Sequence, residues 1–203
     1  VDPDVDRLAL ICEDGEMFGE EYTLVAVADY VLAHEPGGAV SNLSSSRALA
    51  DVAARHGRPY AAAAVGEVNV VAKMKETGAA IGGEGNGGII YPKSHYGRDA
   101  LVGIALVLSH LARRGGTLRA LRDSYPAYHM AKHKVALTAG LDVDAVLAAV
   151  ARHFSKEKVD RTDGVKVDFA DRWAHLRKSN TEPIIRIYTE APTEAEAQAL
   201  AEE

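Results

Sequence analysis

AVSNLSSSRALADVAARHGRPYAAAAV, the stretch of residues 39–65, places two short apolar runs on either side of a helical pattern. Residues 39–43 and 60–65 have the length of buried strands, and residues 45–56 have the pattern of a helix that Gly57 ends. Parallel strands need a crossover connection, which is usually a helix. The order strand, helix, strand therefore predicts a parallel pair in an α/β layer.

The same alternation continues on both sides of this stretch. Residues 20–35 have helical spacing up to a PGG turn, another helix follows Val65 and reaches Glu76, and residues 99–112 form a helix that RRGG ends. Short connections between such elements favour a sheet covered by helices. The sequence therefore predicts an α/β fold class with a mainly parallel sheet, up to about residue 116.

A second, smaller unit follows with a different pattern. Residues 128–137 are strand-like, residues 142–153 are helical, and two short strand candidates flank residues 171–172. A strand at residues 184–188 and a final helix complete the chain. This order predicts a smaller α+β domain of β-α-β-β-β-α type.

Composition limits the class of protein. The chain has 203 residues, of which 47% are hydrophobic, and a formal net charge of −6 with scattered basic residues. This charge argues against nucleic-acid binding, and no apolar stretch approaches the roughly 20 residues of a membrane span. Cys12 is the only cysteine, which excludes an internal disulfide, and the first residues lack a signal-peptide pattern. We expect a cytoplasmic protein without nucleic-acid or membrane partners.

Three carboxylates lie at alternate positions near the start of the chain. Asp2, Asp4 and Asp6 belong to the segment DPDVDR, in which Arg7 follows the last carboxylate. Carboxylate oxygens are hard ligands that suit Mg²⁺, and Arg7 is suited to binding a phosphate. A calcium loop is a weaker interpretation because Arg7 stands where such a loop needs glycine. An acidic surface turn remains the alternative.

Residues 82–88, GGEGNGG, contain the spacing of a dinucleotide-binding fingerprint. That fingerprint must open a helix, whereas this segment leads into the apolar strand GIIY at residues 88–91. The segment instead predicts a flexible loop that presents Glu84 and Asn86. A carboxylate and an amide two residues apart suit the recognition of vicinal sugar hydroxyls. A glycine-rich turn with a solvated glutamate is the alternative.

A third polar motif, RKSNTEP, covers residues 177–183. It combines a guanidinium group, two hydroxyls and an amide just before a predicted strand. Arginine binds phosphate through two charge-assisted hydrogen bonds, and hydroxyl groups can fill the remaining oxygens. The motif predicts a phosphate site, with an ordinary polar turn as the alternative.

These three motifs, in this order, resemble the metal loop, the sugar-recognition loop and the phosphate-binding loop of the α-D-phosphohexomutases. Members of that family have four domains around a cleft, and the phosphoserine loop lies in the first. The resemblance implies that residues 1–16 are the edge of domain 2, residues 17–116 are domain 3, residues 117–127 are a linker and residues 128–203 are domain 4. The missing domains 1 and 2 would then be partners of this chain.

The resemblance also implies roles for individual residues. The family interconverts hexose 6-phosphates and hexose 1-phosphates with Mg²⁺, through a phosphoserine and a hexose 1,6-bisphosphate intermediate. The implied roles are Mg²⁺ ligation by Asp2, Asp4 and Asp6, charge neutralisation in catalysis by Arg7, sugar binding by Glu84 and Asn86, and phosphate binding by Arg177, Ser179, Asn180 and Thr181.

Some residues depart from the family pattern. Asn86 and Gly88 stand where the sugar loop often has serine and histidine, and Glu67 resembles the acidic residue of phosphoglucosamine mutases. Glucosamine phosphate is therefore the expected substrate, with a phosphoglucomutase or phosphomannomutase as the alternative. No serine lies in a phosphoserine-type loop, so we expect the isolated 203 residues to be inactive. A non-catalytic sugar-phosphate binding module and a structural metal-binding domain are the rival hypotheses.

Overall fold

The chain folds into two compact units, Val1–Pro126 and Ala127–Glu203. The computed structural model describes residues 1–137, 141–179 and 182–203. Each unit has its own sheet and its own apolar core. The expected order of an α/β unit followed by a smaller α+β unit is confirmed.

The first unit alternates helices and strands after an irregular initial segment. Its elements are α1 (Glu20–His34), β1 (Ala39–Asn42), α2 (Ala48–Arg55), β2 (Tyr60–Ala63), α3 (Glu67–Thr77), β3 (Ile81–Glu84), β4 (Gly88–Ile90), α4 (Ala100–Arg114) and α5 (Leu118–Arg122). Local chemistry sets several ends of these helices. The carboxylate of Asp99 accepts two backbone N–H groups at the start of α4, and Gly78 ends α3 in a left-handed conformation.

The sheet of the first unit has the strand order β2-β1-β3-β4. Strand β1 pairs in parallel with both β2 and β3, and β4 is antiparallel to β3. Helices α2 and α3 supply the crossover connections that the parallel strands need. The last residues of the three parallel strands, Asn42, Ala63 and Glu84, therefore lie along one edge of the sheet.

The glycine-rich residues 82–88 predict a flexible loop, and the structure corrects this for the first part of the segment. Residues Ile81–Glu84 form the buried strand β3, which lies between β1 and β4. A Cβ atom on Gly82 would overlap the Met74 side chain and the Val40 carbonyl group. Glycine here permits the close approach of a helix and a neighbouring strand, and it removes the apolar pattern from which a strand is predicted.

Both faces of this sheet are covered by helices. A Cβ atom on Gly82 would face Met74 of α3, whereas one on the next residue, Gly83, would face Leu24 of α1. Successive side chains of a strand point to opposite faces, so α1 and α3 lie on opposite sides of the sheet. Ten of the 15 residues of α1 are buried, which is the pattern of a helix inside a unit.

Residues 1–16, which the resemblance assigns to the edge of a preceding domain, belong to the first unit in this structure. The backbone N–H of Leu8 donates to the Gly87 carbonyl oxygen at 3.0 Å, and the N–H of Ala100 donates to the Val5 carbonyl oxygen at 3.0 Å. Backbone hydrogen bonds of this kind fix the segment against β4 and α4. The segment is thus an integral part of the α/β unit.

The prediction of a linker at residues 117–127 is also corrected by the structure. Residues Leu118–Arg122 form α5, whose first turn is capped by the hydroxyl of Thr117. Leu121 is fully buried, and Nε of Arg122 donates to the Phe18 carbonyl oxygen at 3.1 Å. A helix of five residues is too short to show helical periodicity, which explains why the sequence pattern reads as a connection.

The second unit contains five strands and two helices among its described residues. They are β5 (His129–Ala136), α6 (Val143–His153), β6 (Lys158–Asp160), β7 (Val165–Asp168), β8 (Trp173–Lys178), β9 (Ile184–Ala191) and α7 (Glu194–Glu202). The strand order is β5-β9-β8-β7-β6, and every neighbouring pair is antiparallel. Strand β6 adds one three-residue strand to the predicted β-α-β-β-β-α order.

The helices of the second unit cover its sheet. Helix α6 packs on β7 and β8, while α7 packs on β5 and β9. The core beneath α6 contains Val143, Leu147, Val165, Val167 and Ile185. Across the ranges described in both units, none of the helices combines the length and apolarity that a membrane span requires.

Candidate functional site

Polar groups from three strands meet at the carboxyl edge of the first sheet. Glu84, the last residue of β3, is only 7% exposed. Its Oε1 accepts hydrogen bonds from Nδ2 of Asn42 at 2.9 Å and from the backbone N–H of Gly66 at 3.1 Å. Open α/β sheets bind ligands outside the carboxyl ends of their strands. Glu84 is therefore a rigidly held carboxylate at the edge where a ligand is expected.

Residues 84–88, the candidate sugar loop, form a tight turn between β3 and β4. The Oδ1 atom of Asn86 accepts the backbone N–H of Gly88 at 3.1 Å, and Oγ of Ser45 accepts the N–H of Gly85 at 3.1 Å. The prediction of a flexible loop presenting both residues is corrected, because Glu84 ends a buried strand and the side chain of Asn86 is bonded within the turn. Glu84 precedes the turn and Asn86 lies within it, where the side-chain oxygen of Asn86 stabilises the turn.

Residues 2–7, the candidate metal loop, bring together two of the three predicted carboxylates. The Oδ1 atom of Asp2 accepts the backbone N–H groups of Asp6 at 3.2 Å and Arg7 at 3.3 Å. Nε of Arg7 donates to the other oxygen of Asp2 at 2.6 Å. Asp4 is exposed at the turn. Within the described residues no three His, Cys, Asp or Glu side chains are already arranged around a metal position.

Asp6 is the residue of the candidate metal loop whose surroundings bear most directly on Mg²⁺ binding. The Oδ1 atom of Asp6 is buried and has no hydrogen-bond partner among the described residues, although Nε of Arg7 lies 3.7 Å away. Partial burial raises the pKa of Asp6, the neighbouring Asp2 carboxylate raises it further, and Arg98 opposes both effects. Burial also acts to raise the pKa of Asp2, but hydrogen bonds from Arg7 and Asp6 outweigh it and lower that pKa to about 2. A divalent cation would satisfy the unpartnered oxygen and the surplus charge, so the residues fit Mg²⁺.

Arg98, which no sequence motif identifies, lies between the two candidate loops. Its Nη2 atom is 2.5 Å from Oδ2 of Asp6, and Nη1 is 3.5 Å from Oε2 of Glu84. Nε and the backbone N–H donate to the two carboxylate oxygens of Glu67, at 3.1 Å and 3.0 Å. Arg98 was missed because it stands alone, in the short segment before Asp99 caps α4.

The edge of the first sheet carries a surplus of negative charge. Five carboxylates and two guanidinium groups around Arg98 sum to a formal charge of −3: Asp2, Asp4, Asp6, Glu67, Glu84, Arg7 and Arg98. The carboxylate of Glu21, which lies beside Gly85, adds a further negative charge. Like charges in one place disfavour ionisation unless a cation is bound. The arrangement therefore favours a cationic ligand, a metal ion or both.

A second buried carboxylate in the first unit has a structural role. Asp29 is 7% exposed, and its Oδ1 lies 2.6 Å from Nε2 of His56 and 2.7 Å from Nη2 of Arg55. The hydroxyl of Tyr125 donates to its Oδ2 at 2.9 Å. Burial works to raise the pKa of Asp29, but these partners and His110 hold it far below its usual range. This cluster ties α1 to α2 and to the residues after α5.

The candidate phosphate loop, residues 177–183, lies between β8 and β9 of the second unit. Nε of Arg177 is buried without a hydrogen-bond partner among the described residues. The backbone N–H of Ser179 donates to the Ile184 carbonyl oxygen at 2.9 Å, and Ser179 is 7% exposed. The predicted phosphate-binding residues Asn180 and Thr181 lie outside the described residues. Arg177 is thus the next-to-last residue of β8, and Ser179 directly follows that strand.

Two family models match most of the chain. Residues 19–128 match the model described as phosphoglucomutase/phosphomannomutase, alpha/beta/alpha domain III. Residues 133–203 match the model described as phosphoglucomutase/phosphomannomutase, C-terminal domain. The boundary between the two matches lies close to the boundary between the two structural units.

Curated relatives are similar over nearly the whole chain. A phosphoglucomutase/phosphomannomutase of Thermococcus kodakarensis is 37% identical, with 99% of this chain and 44% of the relative covered. A probable phosphoglucosamine mutase of Methanopyrus kandleri is 31% identical, with 100% and 45% covered. A phosphoglucosamine/phosphogalactosamine mutase of Sulfurisphaera tokodaii is 32% identical, with 100% and 46% covered. The chain thus spans less than half the length of these relatives.

Solved structures show the same fold over less than half of a longer chain. A phosphoglucomutase/phosphomannomutase family protein of Burkholderia thailandensis superposes with a TM-score of 0.83 at 28% identity, covering 98% of this chain and 43% of that one. The crystal structure of a protein described as a putative phosphomannomutase of Thermus thermophilus gives a TM-score of 0.77 at 27% identity, covering 100% of this chain and 44% of that one.

Proposed function

Because the chain belongs to the phosphoglucomutase/phosphomannomutase family, we propose that the protein containing it is a phosphohexomutase. It interconverts hexose 6-phosphate and hexose 1-phosphate through a phosphoserine and a hexose 1,6-bisphosphate. The observation that carries the proposal is the contact between the candidate metal loop and the candidate sugar loop, where Leu8 bonds to Gly87 and Arg98 contacts both Asp6 and Glu84. The phosphoserine comes from a part of the protein outside these 203 residues.

The candidate metal loop would hold Mg²⁺ through Asp2, Asp4 and Asp6. When bound, the ion supplies positive charge next to the phosphoryl group that is transferred. Oδ1 of Asp6 supports this role, because it is buried and accepts no hydrogen bond among the described residues, and Nε of Arg7 at 3.7 Å is too distant to donate one. Asp4, which is exposed at the turn, has to move toward the other two carboxylates to join them.

Arg7 is proposed to neutralise the transferred phosphoryl group. Its Nε is bound to Asp2 at 2.6 Å, while its side chain is 50% exposed. Asp2 thus fixes one edge of the guanidinium plane and leaves the group within reach of an incoming anion. A guanidinium group positioned beforehand stabilises negative charge with little reorganisation during the reaction.

Glu84 and Asn86 are proposed to bind hydroxyl groups of the hexose. Two protein donors already occupy Oε1 of Glu84, whereas Oε2 has a long contact of 3.5 Å with Arg98. Oε2 is therefore the oxygen that can accept a sugar hydroxyl. The side-chain oxygen Oδ1 of Asn86 accepts the backbone N–H of Gly88 within the turn. The side-chain NH₂ of Asn86 is therefore the group that can donate a hydrogen bond to the sugar.

Arg177 and Ser179 are proposed to hold the phosphate that is not transferred, together with Asn180 and Thr181. The buried Nε of Arg177 supports this role, since a phosphate oxygen would supply the acceptor that the described residues do not provide. Binding at this position lets the bisphosphosugar present its two phosphates in turn. Catalysis then depends mainly on positioning and on charge stabilisation.

Glucosamine phosphate is the proposed substrate. The formal negative charge around Arg98, at the edge of the first sheet, favours a sugar that carries an ammonium group. Glu67 adds to this charge, although its carboxylate is paired with Arg98. The similarity to relatives named as phosphoglucosamine mutases supports the same preference. Glucose and mannose phosphates are the alternative, supported by the similarity to the Thermococcus kodakarensis protein.

The proposal is tested with the natural protein that contains this chain, supplied with Mg²⁺ and a catalytic amount of hexose 1,6-bisphosphate. Conversion of glucosamine, glucose and mannose 6-phosphates to 1-phosphates is followed separately. We expect turnover, fastest with glucosamine 6-phosphate, that is lost in Asp6→Asn and kept in Asp123→Asn, which changes an exposed carboxylate of the same unit. Binding of all three sugars without turnover would favour a sugar-phosphate binding module instead.

The isolated 203 residues provide a second test of the same mechanism. They should bind hexose phosphate without converting it, because they contain no serine in a phosphoserine-type loop. Turnover by the isolated chain would contradict the assignment of the nucleophile to another part of the protein.

A further inference from the structure

Arg98 makes contacts that differ in kind from an ordinary surface ion pair. Its side chain is 21% exposed, and each of its three side-chain nitrogens faces a carboxylate from a different part of the fold. These carboxylates belong to the candidate metal loop, the first turn of α3 and the end of β3. The guanidinium group is a rigid planar fork, so the position of one carboxylate constrains the positions of the other two.

The two oxygens of Asp6 have different surroundings. Oδ2 lies 2.5 Å from Nη2 of Arg98. Oδ1 is buried without a hydrogen-bond partner among the described residues, and Nε of Arg7 is 3.7 Å from it. A carboxylate fixed through one oxygen presents the other in a defined direction. This is the arrangement by which a neighbouring donor orients a carboxylate that binds a metal ion through one oxygen.

We propose that Arg98 is a positioning residue that orients Asp6 for a divalent cation and, through Glu84, links the candidate metal loop to the candidate sugar loop. This inference rests on the proposed function, because it takes the candidate metal loop to bind Mg²⁺. The side-chain contacts of Arg98 that define this role are with the carboxylates of Asp6, Glu67 and Glu84. The effect of Arg98 on the cation is transmitted by the carboxylate that it holds.

Glu67 fixes Arg98 in this role. It accepts both the side-chain Nε and the backbone N–H of Arg98, so it holds the arginine at two points. In this arrangement Glu67 acts on Asp6 through Arg98. Removing its charge should loosen Arg98 and weaken metal binding less than the loss of Arg98 itself.

A competing interpretation predicts the opposite result. Arg98 carries a positive charge beside Asp6, and a positive charge opposes the approach of a second cation. If this repulsion dominates, removal of Arg98 strengthens metal binding. If orientation dominates, as proposed here, removal of Arg98 weakens metal binding.

The experiment measures Mn²⁺ affinity in the natural protein that contains this chain, by electron paramagnetic resonance of the free ion. Mn²⁺ replaces Mg²⁺ as the probe because it prefers similar oxygen ligands. We expect Arg98→Gln to weaken binding by about 10–100-fold, the range found when a donor beside a metal ligand is removed. The Mn²⁺ affinity of Arg98→Lys should lie between that of the unaltered protein and that of Arg98→Gln, since lysine keeps the positive charge but lacks the planar guanidinium group.

Three controls distinguish a loss of Asp6 positioning from a loss of folding and from a general loss of positive charge. Arg114→Gln makes the same change of charge at an exposed position at the end of α4 and should leave the affinity unchanged. Glu67→Gln should weaken binding less than Arg98→Gln. Thermal unfolding without metal identifies any variant that fails to fold, in which case Arg98→Lys provides the comparison.

The outcomes distinguish this inference from the proposed function. Affinity that is unchanged or higher in folded Arg98→Gln overturns the positioning role, even if the unaltered protein converts hexose phosphates. Weaker binding in Arg98→Gln supports the positioning role, even if no hexose phosphate is converted. Absence of Mn²⁺ binding in the unaltered protein overturns both the positioning role and the metal site.

Discussion

The backbone N–H of Leu8 donates to the carbonyl oxygen of Gly87 at 3.0 Å. This bond joins the end of the candidate metal loop to the turn of the candidate sugar loop, and a β-bridge between Arg7 and Gly88 lies beside it. Two motifs that are about 80 residues apart in sequence therefore share backbone hydrogen bonds. Any change that separates them should affect both proposed ligand sites together.

Gly87→Ala should disrupt this junction. Gly87 has a φ of +84°, and an added Cβ atom would overlap the carbonyl oxygen of Leu8. The left-handed conformation alone costs a residue with a Cβ atom about 1–2 kcal/mol, and displacement of Leu8 adds to this cost. We expect a lower thermal midpoint and weaker Mn²⁺ binding.

Gly15→Ala is the matched control for this substitution. Gly15 has a φ of +87°, yet an added Cβ atom would meet nothing within 4 Å. The control therefore isolates the conformational cost from the overlap with Leu8. Equal losses of stability and affinity in the two variants would show that the contact between the loops is unimportant.

Asp29→Asn should destabilise the first unit at neutral pH. Asp29 is a buried charge held by Arg55, His56 and Tyr125, and removing one partner of a buried ion pair costs about 3–5 kcal/mol. Asp123→Asn, which alters a 63% exposed side chain, is the control and should have little effect. Denaturant unfolding at pH 7 measures the change in the free energy of unfolding for each variant.

The stabilisation by Asp29 should also depend on pH in a defined direction. Its folded-state pKa is depressed, so its contribution is fully present above the unfolded value of about 3.9. It is lost progressively as the pH falls below that value toward the lower folded-state pKa. The gap in stability between the unaltered protein and Asp29→Asn should therefore narrow on acidification below pH 4. A gap that stays constant or widens would mean that the Asp29 carboxylate is not the stabilising group.

Asp6→Asn should affect stability and metal binding in opposite directions. The pKa of Asp6 is raised in the folded state, because burial and Asp2 disfavour its charged form. Loss of that charge should raise the thermal midpoint in the absence of metal. The increase in midpoint on adding Mg²⁺, which should be present in the unaltered protein, should disappear. Thermal unfolding with and without Mg²⁺ measures both effects, and a full Mg²⁺ response in Asp6→Asn would exclude it as a ligand.

Arg177→Gln should weaken the binding of phosphate to the second unit. A hydrogen bond to a charged group contributes about 1.5–3 kcal/mol, so its loss should reduce affinity for glucose 6-phosphate about 10–100-fold. Arg177→Lys should retain part of the affinity, since lysine keeps the charge but loses the bidentate geometry. Calorimetric or NMR titration of the isolated chain measures these affinities.

Lys156→Gln controls for the loss of positive charge in the same unit. Lys156 is exposed and lies just before β6, whose first residue pairs through Asp168 with Trp173, at the opposite end of β8 from Arg177. Lys156→Gln should bind glucose 6-phosphate as the unaltered chain does. If Lys156→Gln and Arg177→Gln lose the same affinity, the interaction depends on net charge and not on a specific site.

The amino-acid sequence by itself determines most of the secondary structure and the order of the motifs. Helix α1, the strand-helix-strand order around α2 and the helix α4 follow from apolar spacing and from glycine or aspartate at helix ends. The three polar motifs are also visible in sequence because each concentrates its functional groups within seven residues or fewer. Local patterns of this kind require no knowledge of distant contacts.

Tertiary structure alone decides how these motifs meet. Strand β3 has no apolar pattern in the sequence because position 82 must be glycine. A larger residue there would overlap Met74 and Val40, which come from other elements. Arg98 has no motif, and its importance arises because chain folding brings Asp6, Glu67 and Glu84 around it. The strength of an ion pair or a packing contact depends on distance in space and on burial. Local sequence patterns do not contain either quantity for residues that are far apart along the chain.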